Sequence, residues 1–129
     1  MHPLLPSGGA LAEINHRYWY WRGASGRQYI HSVYRMGTCP PFPGAVYVAV
    51  KRRGDLRHAL AVGGFSDFWN LAAGMQLLDA RGADEVHVHL LARSPAAIMA
   101  VVADIQAAMN GKPGAQGRAL RSAAEAHAA

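Results

Sequence analysis

The stretch Gly82-Ala83-Asp84-Glu85-Val86-His87-Val88-His89-Leu90-Leu91 decides how the rest of this chain folds. Val86, Val88 and Leu90 alternate with Glu85, His87 and His89, so a strand here has one apolar face and one polar face carrying two histidines. Gly82 stands where a helix before it should end, and Ser94-Pro95 where the next should begin. Serine is a good N-cap, and proline at the first helical position needs no backbone donor. A β-branched run held between two helices belongs in the interior of a sheet.

Working outward, the spacing of Phe68, Leu71, Ala72, Met75 and Leu78 predicts an amphipathic helix, capped by Ser66 or Asp67 and closed by Gly82. On the other side, Ile98, Val102, Ile105 and Met109 mark the buried stripe of a second helix that Asn110-Gly111 stops. Further upstream the period changes to two. Arg17 to Arg22 and Arg27 to Tyr34 read as strands around the turn Gly23-Ala24-Ser25-Gly26, giving a hairpin over 17–35. Met36 to Gly44, with Pro40, Pro41 and Pro43, cannot support a sheet ladder and reads as a loop. Ala45 to Lys51 and Leu56 to Val62 form a second hairpin around Arg53-Gly54-Asp55.

The expected architecture is therefore α/β (α+β) with the order β-β-β-β-α-β-α: a small mixed sheet of two hairpins plus a crossover strand, and two main helices. A right-handed crossover should bring 56–62 and 85–91 parallel. Residues 1–14 are expected to be a loose arm, 15–110 a single domain, and 111–129 a flexible tail.

The 129 residues carry thirteen Lys and Arg against eight Asp and Glu, a formal charge of +5 that suits an acidic partner such as nucleic acid. Cys39 is the one cysteine, which excludes an internal disulfide and suggests a reducing compartment. It lies in the proline-rich loop without a histidine–acid pair nearby in sequence. The first residues lack the pattern of a signal peptide, and no apolar run reaches the ~20 residues of a membrane span. A cytoplasmic location and no membrane partner are the expectation.

Ala45-Val46-Tyr47 and Ala61-Val62-Gly63 fall where the GIY-YIG nuclease domain has its Gly-Ile-Tyr and Tyr-Ile-Gly tripeptides, and Gly82 to Leu90 resembles that family's third strand. The resemblance covers 44–110 and implies a hairpin, a helix bearing a catalytic arginine, a strand, and a helix bearing a metal-binding glutamate. Tyr47 matches one tyrosine, the catalytic candidate. Ala61 stands in place of the other, Phe68-Trp69-Asn70-Leu71 where the arginine is expected, and Val101-Val102-Ala103, with Asp104 close by, where the glutamate is expected. Without arginine and metal ligand, phosphodiester hydrolysis loses its charge stabilisation. The expectation is a degenerate domain without a catalytic set or resident cofactor. The Trp21-Arg22-Gly23-Ala24-Ser25-Gly26-Arg27 run is also similar to one in small proteobacterial proteins, which implies a bacterial source and no function.

Other residues invite chemistry. Glu85, His87 and His89 share a strand face and are candidate ligands for a divalent metal. The cluster Tyr18, Trp19, Tyr20 and Trp21, flanked by Arg22 and Arg27, can stack bases and hold phosphates, or anchor a protein. The glycine turn between those arginines can bind an anion through its amides. Arg53 and Arg57 add charge at the second hairpin. Two functions are open: a non-catalytic module binding nucleic acid or a protein through the aromatic–basic hairpin, and a small metal-dependent, nuclease-like enzyme with Tyr47, His31, His87 or His89 on the sheet face. A homo-oligomer through the aromatic surface is a third outcome.

Overall fold

A computed structural model describes residues 17–40, 42–68 and 70–111. The expected N-terminal arm and C-terminal tail lie outside these residues. The elements are β1 (Tyr18–Arg22), β2 (Gln28–Arg35), β3 (Val46–Arg53), β4 (Leu56–Gly64), a 3₁₀ turn (Phe65–Asp67), α1 (Leu71–Ala80), β5 (Glu85–His89) and α2 (Pro95–Gly111). The α/β class and the order β-β-β-β-α-β-α are those the periodicity predicts. Among the described residues no helix is long and apolar enough to cross a membrane.

The sheet order is β1-β2-β5-β3-β4, and every hydrogen-bonded pair is antiparallel. β5 is interior and runs parallel to β4, as the crossover requires, but β3 lies between them. The sheet is thus not mixed at the level of its ladders. β5 joins the two hairpins: Ser32 to Arg35 of β2 pair with Val88 to Glu85, and Val46 to Val50 of β3 pair with His89 to Glu85. The strand is shorter than the expected 85–91, because its partner β3 begins at Val46, just after Gly44 at φ 80°. Leu90 and Leu91 are exposed beyond it.

One sheet face packs on α2 and the other on α1. Under α2 lie Trp19, Trp21, Val46, Val48, Val50, Ala59, Val101, Ile105 and Met109. Under α1 lie Tyr47, Ala49, Phe65, Leu78, Val86 and Val88. β1 and β4 are the two edges, yet the Arg57 guanidinium of β4 sits 4.5 Å from the centre of the Trp19 ring of β1. The sheet therefore curls around α2 until its edges approach.

The helix caps are mostly where the sequence puts them. Ser94 Oγ accepts from Ala97 N–H at 3.1 Å, and Gly82 takes φ 92° after α1. α1 starts later than expected. Asp67 caps the 3₁₀ turn instead, accepting from Gly64 N–H, the chain is extended at Phe68, and Asn70 Oδ1 accepts from Ala73 N–H at 2.7 Å. The reason is Phe68, which folds back onto the helix: a Cβ at Gly74 would run into its ring. Tyr47 stacks on the same ring at 5.0 Å.

Candidate functional site

The polar face of β5 is turned into the protein, toward α2. Glu85 is 5% exposed, His87 0% and His89 4%. This corrects their candidacy as metal ligands, because both His87 ring nitrogens, His89 Nδ1 and the Glu85 carboxylate are engaged in hydrogen bonds. Trp21 Nε1–H donates to His87 Nδ1 at 2.9 Å, which leaves the imidazole proton on Nε2 to donate to Glu85 Oε1, also at 2.9 Å. Arg57 Nε donates to the same Oε1 at 2.8 Å. His89 Nδ1–H donates to Ile30 O at 2.7 Å and His31 Nδ1–H to Tyr29 O at 2.8 Å. Among the described residues no three His, Cys, Asp or Glu side chains are grouped to hold a metal ion.

Burial sets the charges of this network. It lowers the His87 pKa to about 4, the bond and charge of Glu85 offsetting only part of the desolvation. His31 is driven well below the ordinary histidine value by burial, its bond to Tyr29 O opposing this and the nearby His87 and His89 adding to it. Desolvation alone would raise Glu85, but hydrogen bonds from His87 and Arg57, and their charge, outweigh it and bring it down to about 2. The result is a neutral His87 relaying between an indole and an Arg57–Glu85 ion pair. Such a pair costs several kcal/mol to desolvate and holds only while both partners remain.

Arg57 is therefore part of the core and not a phosphate contact at the hairpin tip, since its guanidinium is claimed by Glu85 and by the Trp19 face. Trp19 and Trp21 are likewise interior, so neither belongs to an outward aromatic surface. The outward set is Tyr18, 41% exposed, and the half-buried Tyr20, which pair with Ser32 and Ile30. Arg17, Arg22, Arg27 and Arg53 are exposed. Arg22 and Arg27 flank the β1–β2 turn, whereas Arg53 ends β3, so the strand directions put them at opposite ends of the sheet.

The glycine turn offers no amide to an anion. Gly23 N–H donates to Arg27 O, Ala24 N–H to Asp104 O, Ser25 N–H to Asp104 Oδ1, Gly26 N–H to Gly23 O and Arg27 N–H to Ser25 Oγ. Asp104 of α2 also accepts from Ser25 Oγ at 2.5 Å and from Tyr29 Oη at 2.6 Å. Its carboxylate occupies the space a Cβ on Gly23 would need. The residue near the expected glutamate position thus clamps the hairpin turn to the helix.

Tyr47, the catalytic candidate, is buried on the α1 face between Phe65 and Phe68. It is paired with Gly63, where a Cβ would come within 2.9 Å of its hydroxyl oxygen. Burial first, then the charge of Asp67, raises its pKa. Cys39 is half-buried and burial raises its thiol to about 11, so it stays protonated.

Missed by sequence reasoning is a cleft of about 700 Å³ at the end of the sheet where β2 and β3 finish, with Arg35, Arg52, Asp84 and Glu85 on its walls. Compared with known protein families, curated proteins and solved structures, the chain matches none.

Proposed function

We propose that this chain is a non-catalytic binding module of GIY-YIG-like fold that takes single-stranded nucleic acid on the outer face of its β1–β2 hairpin. The observation that carries the reading is the position of Tyr18 and Tyr20 on an edge strand whose inner alternates, Trp19 and Trp21, fill the core. Arg17 precedes them, and Arg22 and Arg27 follow. The apolar cluster under α1 reaches Tyr34 of β2 but includes neither Tyr18, Tyr20 nor Ile30, so this strip is left outside it. Aromatic faces stack bases irrespective of sequence, and flanking arginines follow the phosphates. The β-β-α-β-α order over 46–111 agrees with the family resemblance. An enclosed Tyr47, and Asp104 committed to the hairpin turn, favour binding over hydrolysis.

The test is fluorescence anisotropy of a labelled single-stranded oligonucleotide across a salt series. Tyr18→Ala with Tyr20→Ala should cost about 1–3 kcal/mol per stacked base. Arg22→Ala with Arg27→Ala should lower the salt slope by about one per lost phosphate contact. Absence of binding, or unchanged binding in both double variants, refutes the reading. A mass shift by light scattering that disappears in the tyrosine variant would assign the strip to a second copy instead.

A further inference from the structure

At the end of the sheet where β2 and β3 finish, three arginines surround one carboxylate. Arg35 is the β-ladder partner of Glu85, Arg52 approaches Glu85 Oε2 at 3.4 Å, and Arg57 holds Oε1 at 2.8 Å from inside. Arg57 answers most of the Glu85 charge, together with the His87 bond. Arg52 holds it only at long range, and its other amino group donates to Gly54 O at 3.2 Å. Among the described residues no hydrogen bond or ion pair engages the Arg35 side chain, which is exposed on the cleft wall. Two guanidinium groups therefore border the same cleft without a short bond to any carboxylate.

The acids around them are accounted for in part. Asp84 accepts from Arg52 N–H at 2.8 Å and pairs with Lys51 at 3.5 Å. Asp79, in the last turn of α1, is the carboxylate on the wall that no cation of the described residues holds. On the walls themselves Arg35 and Arg52 stand against Asp79, Asp84 and Glu85. Only with Lys51, paired to Asp84, and Arg57, paired to Glu85, both outside the walls, does the group carry one positive charge in excess. The volume, about 700 Å³, lies within the roughly 300–1,000 Å³ of small-molecule sites.

We propose that this cleft binds a phosphomonoester, its phosphate held between Arg35 and Arg52. Guanidinium forks match phosphate oxygens in pairs, and a phosphomonoester has three terminal oxygens to share between two forks, where a carboxylate has two. On binding, Arg52 exchanges its long contact to Glu85 for the phosphate, and Arg57 keeps Glu85 neutralised. The Thr38 amide and hydroxyl both donate to Arg35 O and hold the end of β2 in place. The source of the phosphate can be a free nucleotide or the 5′ end of a nucleic acid. The site does not depend on Tyr18 and Tyr20, so it is separable from the hairpin reading.

The experiment titrates inorganic phosphate into the full chain at constant ionic strength and follows the arginine Nε–Hε resonances. Saturable shifts at Arg35 and Arg52 are expected, weakened about tenfold in Arg35→Ala, equivalent to about 1.4 kcal/mol. They should persist in Tyr18→Ala/Tyr20→Ala. A competing adenosine monophosphate, a 5′-phosphorylated oligonucleotide and its 5′-hydroxyl counterpart then separate the sources. Displacement by the mononucleotide alone supports a free nucleotide, and displacement by the phosphorylated but not the hydroxyl oligonucleotide supports a nucleic-acid end. Shifts at Arg35 and Arg52 that are absent or that track salt without saturating overturn the proposal, as do saturable shifts at other arginines that survive Arg35→Ala/Arg52→Ala, and displacement by none of the three competitors.

Discussion

The Arg57 guanidinium lies over Trp19, 4.5 Å from its ring centre, tying the sheet's fourth strand in sequence to its first across the concave face. The same side chain neutralises Glu85. Arg57→Met keeps much of the stem but strands a buried carboxylate. It should cost about 3–5 kcal/mol in urea unfolding, while Arg53→Met at the exposed tip should cost less than about 0.5 kcal/mol. Equal, small effects would remove Arg57 from the core.

The histidines make stability acid-sensitive. His31 and His87 are held neutral, with folded pKa values below the ordinary 6.5, so the unfolded chain binds more protons as pH falls. Their contribution is intact above 6.5 and is lost from there down to about 4, the folded value of His87. Glu85, lowered to about 2 from 4.5, contributes above 4.5 and loses that contribution between 4.5 and 2. Tm should therefore fall steadily below pH 6.5, and His87→Gln should flatten the upper part of that fall. A Tm that is level from pH 7 to 4.5 contradicts the buried neutral imidazoles.

Gly23 and Asp104 should be coupled. Gly23→Ala displaces the Asp104 carboxylate from Ser25 and Tyr29, and Asp104→Ala removes the same bonds. Each should cost about 1–3 kcal/mol, and the double variant clearly less than the sum. Additive losses in a double-mutant cycle would mean the glycine is needed for something other than this close approach.

Tyr47 should not support hydrolysis. Plasmid incubated with the pure chain and Mg²⁺ or Mn²⁺ should stay intact, and Tyr47→Phe should change stability through the Phe65–Phe68 stack and leave DNA untouched. Cleavage that survives further purification and vanishes in Tyr47→Phe would reverse this reading.

Element order was legible because its signals are local. Gly82 adopts the left-handed conformation that a helix end favours, and Ser94-Pro95 caps as serine and proline do. The neighbours of β5 were not legible, because a two-faced strand fits equally beside β4 or between the hairpins. Alternation told that half of Tyr18 to Trp21 points inward. Which half depends on an acceptor 66 residues away, since only the indole of Trp21 meets His87 Nδ1. Arg57 read as tip charge for the same reason: its partner Glu85 is 28 positions distant. Phe68 misled the helix start because an apolar residue at the right spacing looks helical whether it begins the helix or folds back upon Gly74.

The insertion of β5 between β2 and β3 has a consequence for the nascent chain. The aromatic hairpin leaves the ribosome before its partners, since the strand it must dock against is residues 85–89, and the carboxylate that clamps its turn is residue 104. Until then Trp19 and Trp21 have no core to enter, and an unpaired strand edge beside exposed indoles is prone to stick to other chains. Translation speed and holding chaperones should therefore govern soluble yield more strongly than the stability of the finished fold does.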